Sequence, residues 1–138
     1  PLAAALTGLA KLGVETVAAA GNDATTTPFV PAALVDQVAG LHSVGALNPD
    51  GRTVALFSNG GAWVREHAVG AAVVSTVPTT LAGSAGPSVV SEDASQPVHR
   101  ERATIDPDDH GSGFALWSGT SFAAPHVAGD LAARLLRG

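Results

Sequence analysis

Gly119-Thr120-Ser121-Phe122-Ala123-Ala124-Pro125-His126-Val127-Ala128-Gly129 sets a serine behind two small residues and ahead of a run rich in alanine and glycine. The run reads as a helix from about Ser121 to Leu136. A helix N-terminus carries unpaired N–H groups and the positive end of the peptide dipole. Ser121 therefore stands where negative charge is stabilised, as on a carbonyl oxygen under nucleophilic attack. Gly119 permits close backbone approach, and Ala123, Ala124, Ala128 and Gly129 let the helix pack tightly on a sheet. Pro125 is expected near the first turn, where a missing N–H costs least. The plain alternative is an N-capping serine on a small-residue core helix, a common arrangement.

Upstream, Leu2, Leu6, Leu9 and Leu12 recur at helical spacing and predict a helix ended by Gly13. Val14 to Ala20 is a short apolar run without alternation, as in a buried parallel strand, and stops at the turn Gly21-Asn22-Asp23. Strands are expected over Val38–Leu47 and Arg52–Phe57, with shorter strand-like pieces from Trp63 to Val77 broken by Gly70. From Leu81 to Gly113 serine, proline, glycine and charge dominate with no period, which predicts a long surface loop or insertion. Helix, strands and closing helix together predict an α/β fold with a mostly parallel sheet.

Charged residues are 14% of the 138, below the usual quarter, which suits a piece buried against other protein. The net charge is −5 and Lys11 is the only lysine, so a nucleic-acid footprint is not expected. No segment approaches the roughly 18 apolar residues of a membrane span. With no cysteine there are neither disulfides nor thiolate metal sites. The N-terminus does not read as a signal peptide, and the chain opens on helix-like sequence as if cut from a longer protein.

Taken over its whole length, Gly119–Gly129 resembles the serine motif of the subtilisin-like serine peptidases (subtilases). Val17-Ala18-Ala19-Ala20-Gly21-Asn22 resembles the strand end that supplies this family's oxyanion-hole asparagine. Between the two, Phe29–Ala32 resembles the segment beside the specificity pocket. Val44–Leu47 and Ala55–Gly60 resemble the next two strands, and Val73–Pro78 the strand before the serine loop. The resemblance implies a subtilisin-like three-layer fold of which residues 1–138 are the C-terminal part, with an insertion at about 81–113. It implies Ser121 as nucleophile, Asn22 as oxyanion donor, and Ala19, Ala20, Gly21 and Thr120 as substrate-binding residues. Three departures stand out: Ala68-Val69-Gly70 where the family often has Ala-Pro-Gly, the long 81–113 stretch, and Phe122 where methionine or another apolar residue is usual.

A serine nucleophile needs a general base, and the base an orienting carboxylate. In this family both precede the oxyanion asparagine, so they are expected before Pro1, and the chain alone is expected to be inactive. His126 lies five residues beyond Ser121 and is turned from it by roughly 140° on a helix. His42 is expected to pack or hydrogen-bond locally, His67 to sit in a loop, and His99 and His110 to be solvated. No cofactor or metal is expected in the chain. Calcium in the full-length protein would fall to Asp106, Asp108 and Asp109, although a solvated acidic loop is the preferred reading. The implied partners are a peptide or protein substrate and the missing N-terminal part of the catalytic domain, without nucleic acid or membrane, and the implied location is outside the cell or on its surface. The competing function is a subtilase-like binding or structural module that has lost catalysis. An α/β-hydrolase elbow fails because Ala123 stands where its second glycine is required. A sedolisin would place Asp where Asn22 stands.

Overall fold

The computed structural model describes residues 1–80, 89–92, 99–102 and 110–137, the side chains of 89–92 and 99–102 excepted. The chain divides into two units, Pro1–Val73 with Ser118–Gly138, and Val74–Trp117.

The first unit opens with helix α1, Leu2–Lys11. Gly13, at φ 76, takes the left-handed conformation that ends it, with the Gly13 and Val14 N–H groups closing onto Ala10 and Leu9. Three strands follow: β1 (Thr16–Ala19), β2 (Leu41–Leu47) and β3 (Glu66–Val69), hydrogen-bonded in the order β1-β2-β3 and parallel throughout. The register pairs Ala19 with Val44 and Val44 with Glu66.

Period-two alternation splits the core between the two faces of this sheet. On one face Ala18, Ala20 and Leu41 pack with Leu6 of α1, Ala32 of a short 3₁₀ turn (Ala32–Leu34), Val38, Trp63 and Val64. On the other, Val44 and Ala46 pack with Ala55, Ala71, and Ala123 and Val127 of helix α2 (Thr120–Arg137). Helix, sheet and helix are three layers, as the α/β reading requires. Burying Val127 is worth about 1.5–3 kcal/mol on its own. The small residues have a geometric consequence. A Cβ at Gly70 would lie 2.7 Å from the Gly119 carbonyl oxygen, 2.9 Å from Ala46 Cβ and 3.0 Å from Ala123 Cβ. Gly70 thus lets the start of α2 sit directly on the end of β3, where the Gly119 N–H also donates to the Gly70 carbonyl at 2.8 Å.

Four sequence expectations change in the first unit. Arg52–Phe57 forms no strand. Val54 makes a single bridge to Leu47, and the chain then turns, with the Ser58 N–H closing onto Ala55 and Leu56 94% exposed. His67 lies in β3, not in a loop. Of the four leucines of the expected stripe only Leu6 is buried, while Leu2, Leu9 and Leu12, the last just past α1, are exposed. Pro125 lies beyond the first turn of α2, so it cannot supply the N–H that would bond the Ser121 carbonyl.

In the second unit β4 (Val73–Thr76) pairs with β7 (Phe114–Trp117). Strands β5 (Val89–Glu92) and β6 (His99–Arg102) pair antiparallel, with Val89 opposite Arg102. Part of the stretch expected to be loop is therefore a ladder. Residues 81–88, 93–98 and 103–109, and with them Asp106, Asp108 and Asp109, lie outside the described residues.

Candidate active site

The first unit's functional groups gather where the parallel strands end and α2 begins. Ligands of open α/β sheets bind beyond the carboxyl ends of the strands. Past β1, the Ala20 N–H still donates to the Val44 carbonyl at 2.9 Å. Gly21 then turns the chain at φ 105, a conformation in which a side chain is strained, and a Cβ there would overlap the amide nitrogen of Asn59. The turn leaves Asn22 exposed at its apex.

Thr120 clamps this turn from α2. It is 1% exposed. Its N–H donates to Asn22 Oδ1 at 2.8 Å and its hydroxyl donates to the same oxygen at 3.0 Å. The Thr120 hydroxyl also accepts the Gly21 N–H at 3.0 Å. Two donors on Oδ1 settle which way the Asn22 amide faces, so Nδ2 points away from Thr120 as the free donor end. Ser121 is exposed one residue later. A Cβ built on Gly119 would lie 3.1 Å from Ser121 Oγ and 3.3 Å from Asn22 Nδ2. A hydroxyl and an amide donor thus face one small space held open by a glycine. Two exposed polar groups, Asn22 and Ser121, are backed by two buried ones, Thr120 and Asn59.

Asn59 grips the turn from below. It is fully buried, at 0% exposure. Its Oδ1 accepts the Asp23 N–H at 2.8 Å and the Thr25 N–H at 3.3 Å. Its Nδ2 donates to the Ala20 carbonyl at 3.0 Å and to Asp23 Oδ2 at 3.3 Å. Its own N–H donates to the Gly21 carbonyl at 2.9 Å. Sequence reasoning missed Asn59, because Ser58-Asn59-Gly60-Gly61 looks like any turn and its partners lie 34 to 39 residues away.

The other substrate-binding expectations are placed as follows. Ala19 and Gly21 are half-buried. Ala20 is at 0% exposure inside the α1-side core, with its carbonyl held by Asn59. Phe29 and Val30 are exposed just before the 3₁₀ turn.

The histidines go elsewhere. His42 sits at the start of β2, the opposite end of the sheet from Asn22, with Nδ1 on Glu66 Oε1 at 2.5 Å and Nε2 on Glu15 Oε2 at 2.8 Å. Burial alone would push its imidazole down. The hydrogen bonds and charges of Glu66 and Glu15 outweigh that and hold it above its ordinary value. His126 is exposed on α2. His110, in the second unit, is buried rather than solvated, with a left-handed φ of 50. The His99 side chain lies outside the description. Among the described residues no group of three or more His, Asp or Glu is arranged to hold a metal ion, and no helix is long and apolar enough to cross a membrane.

Comparison with known proteins gives the family and the fold. The subtilase family matches residues 2–136. The thermophilic serine proteinase of Bacillus sp. (strain AK1) is 36% identical over 117 residues, covering 85% of this chain. The chain spans only 20% of that protein's length. Among solved structures, a lanthipeptide protease superposes with a TM-score of 0.64 at 21% identity, covering 92% of this chain and 37% of that one, which is a likeness of fold alone. The psychrophilic subtilisin-like protease Apa1 from the Antarctic psychrotroph Pseudoalteromonas sp. AS-11 superposes with a TM-score of 0.51 at 28% identity, over 59% of this chain and 17% of that one.

Proposed function

The chain belongs to the subtilase family, and on that premise we propose that it supplies the nucleophile and the oxyanion hole of a serine endopeptidase. The convergence of Ser121 Oγ and Asn22 Nδ2 on the space beside Gly119 carries this reading. A peptide carbonyl placed there has its carbon against the serine and its oxygen against the amide. Ser121 Oγ attacks the carbon while a base takes its proton, and the carbonyl π electrons move to oxygen. Asn22 Nδ2–H and the Ser121 N–H at the start of α2 hold that oxygen. Collapse breaks the C–N bond, the amine leaves with the proton, and an acyl-enzyme on Ser121 remains for water to hydrolyse.

The base and its orienting carboxylate are the histidine and aspartate that the family places ahead of the oxyanion asparagine. The remainder of the catalytic domain is thus the chain's partner. His42 cannot serve, being committed to Glu15 and Glu66 at the far end of the sheet. The substrate is a peptide or protein; of the residues assigned to binding it, Ala19 and Gly21 border it, while the buried Ala20 and Thr120 shape that border from beneath. The parent protein acts outside the cell or on its surface, a reading supported by the family alone.

A fluorophosphonate probe tests the reading. The full-length protein is expected to be labelled at Ser121, and Ser121→Ala to abolish labelling. The isolated chain, without its base, is expected to be labelled far more slowly. Absence of labelling in the full-length protein favours the binding-module alternative. Labelling of the isolated chain at the full-length rate defeats the missing-base argument.

A further inference from the structure

Asn22 is held from two directions, and only one of them hydrogen-bonds to it. Thr120 binds its side chain. Asn59 makes no hydrogen bond to it, yet holds the residues on either side: the Ala20 carbonyl, the Gly21 carbonyl, and the Asp23 and Thr25 N–H groups. A fully buried amide with both ends engaged in this way is costly to disturb, since each bond lost leaves a buried polar group unpaired. Its reach into the space of a Gly21 Cβ shows how closely it sits beneath the turn. The backbone geometry of Gly21-Asn22-Asp23 fixes where the Asn22 side chain starts, and therefore where Nδ2 ends.

We propose that Asn59 is a positioning residue for catalysis: by clamping the backbone on both sides of Asn22, it sets the aim of the Asn22 amide at the space beside Ser121. This rests on the oxyanion role of Asn22 proposed above. A purely structural asparagine would secure the loop without bearing on the reaction. The two roles separate because a positioning residue acts only through Asn22. Its loss lowers kcat rather than raising KM, and the loss vanishes once Asn22 has no amide to aim.

The test is a double-mutant cycle in the full-length protein, with rates expressed per active site titrated. Asn22→Ala, Asn59→Ala and the double variant are compared on a chromogenic peptide substrate. Asn59→Asp, which keeps the size of the side chain and the oxygen facing Asp23 and Thr25, carries the cycle if Asn59→Ala does not fold. A misplacement near 1 Å costs about a hundredfold, so the Asn59 variants are expected to lower kcat by about ten- to a hundredfold, with KM changed less than about threefold. In the Asn22→Ala background the same substitutions are expected to change kcat by less than about threefold. An equal loss in both backgrounds, or a lowered melting temperature with kcat per titrated site intact, overturns the proposal and leaves the oxyanion role standing. If Asn22→Ala alone leaves kcat unchanged, the oxyanion role fails and the positioning role falls with it.

Discussion

Replacing Gly119 with alanine places one methyl group where the proposed chemistry needs empty space. The added Cβ would lie 3.1 Å from Ser121 Oγ and 3.3 Å from Asn22 Nδ2, both inside the usual 3.5–4.0 Å of nonbonded contact with carbon. Gly119's φ lies outside the left-handed region, so alanine meets no backbone strain there and the effect is one of volume. Either the serine and the amide give way by a few tenths of an ångström, or the methyl keeps the carbonyl oxygen from its place about 2.7–3.1 Å from the donors. The first route costs part, and the second most, of the oxyanion stabilisation proposed for Asn22, which is worth about a hundred- to a thousandfold in kcat, or about 2.7–4 kcal/mol. The assay is kcat and KM of full-length Gly119→Ala on a peptide anilide, with active-site titration and a melting curve. The expected result is a tenfold or greater fall in kcat with the melting temperature little changed. A kcat within about threefold of wild type would refute the geometry argued for Ser121 and Asn22.

Three further predictions concern the scaffold. Gly70→Ala drives a methyl into the Gly119 carbonyl, Ala46 and Ala123, and denaturant titration of the full-length protein is expected to show a loss of about 1–3 kcal/mol; an unchanged midpoint contradicts the close seating of α2 on β3. Ser58→Ala strands the buried Ala46 N–H, which donates to Ser58 Oγ at 3.0 Å, and is expected to cost about 1–3 kcal/mol by the same titration. His42, raised above its ordinary value by Glu66 and Glu15 against the opposing effect of burial, binds a proton more tightly folded than unfolded. Its stabilising contribution is therefore full below about pH 6.5 and fades as the pH rises through the higher folded value. His42→Gln is expected to flatten that limb of the stability profile, and a wild-type limb that the substitution leaves intact contradicts the clip between Glu15 and Glu66.

The serine end of the candidate site is more legible in the sequence than its support. Gly119–Gly129 is local: a small-residue helix start can be read from adjacent residues, and so can the strand ending at Asn22. The buried Thr120 and Asn59 work across separations of 98 and up to 39 residues. Nothing in a turn asparagine marks which distant backbone groups it will pair. Arg52–Phe57 failed as a strand because a short apolar run has no period of its own, and the exposed Leu56 shows that hydrophobicity there is not burial. The β5–β6 ladder was hidden for the converse reason: polar, charged residues can pair by backbone bonds alone. His42 was expected to bond locally, and its partners Glu15 and Glu66 became neighbours only when three parallel strands set the register.

The proposed mechanism has Ser121 and Asn22 meet at one carbonyl. A crystal structure of the full-length protein with a peptidyl boronate shows whether they do. A covalent bond from Ser121 Oγ to boron is expected, with a boronate oxygen about 2.7–3.1 Å from Asn22 Nδ2. A bond to any other residue, or an Asn22 amide turned away from the adduct, would rule the mechanism out.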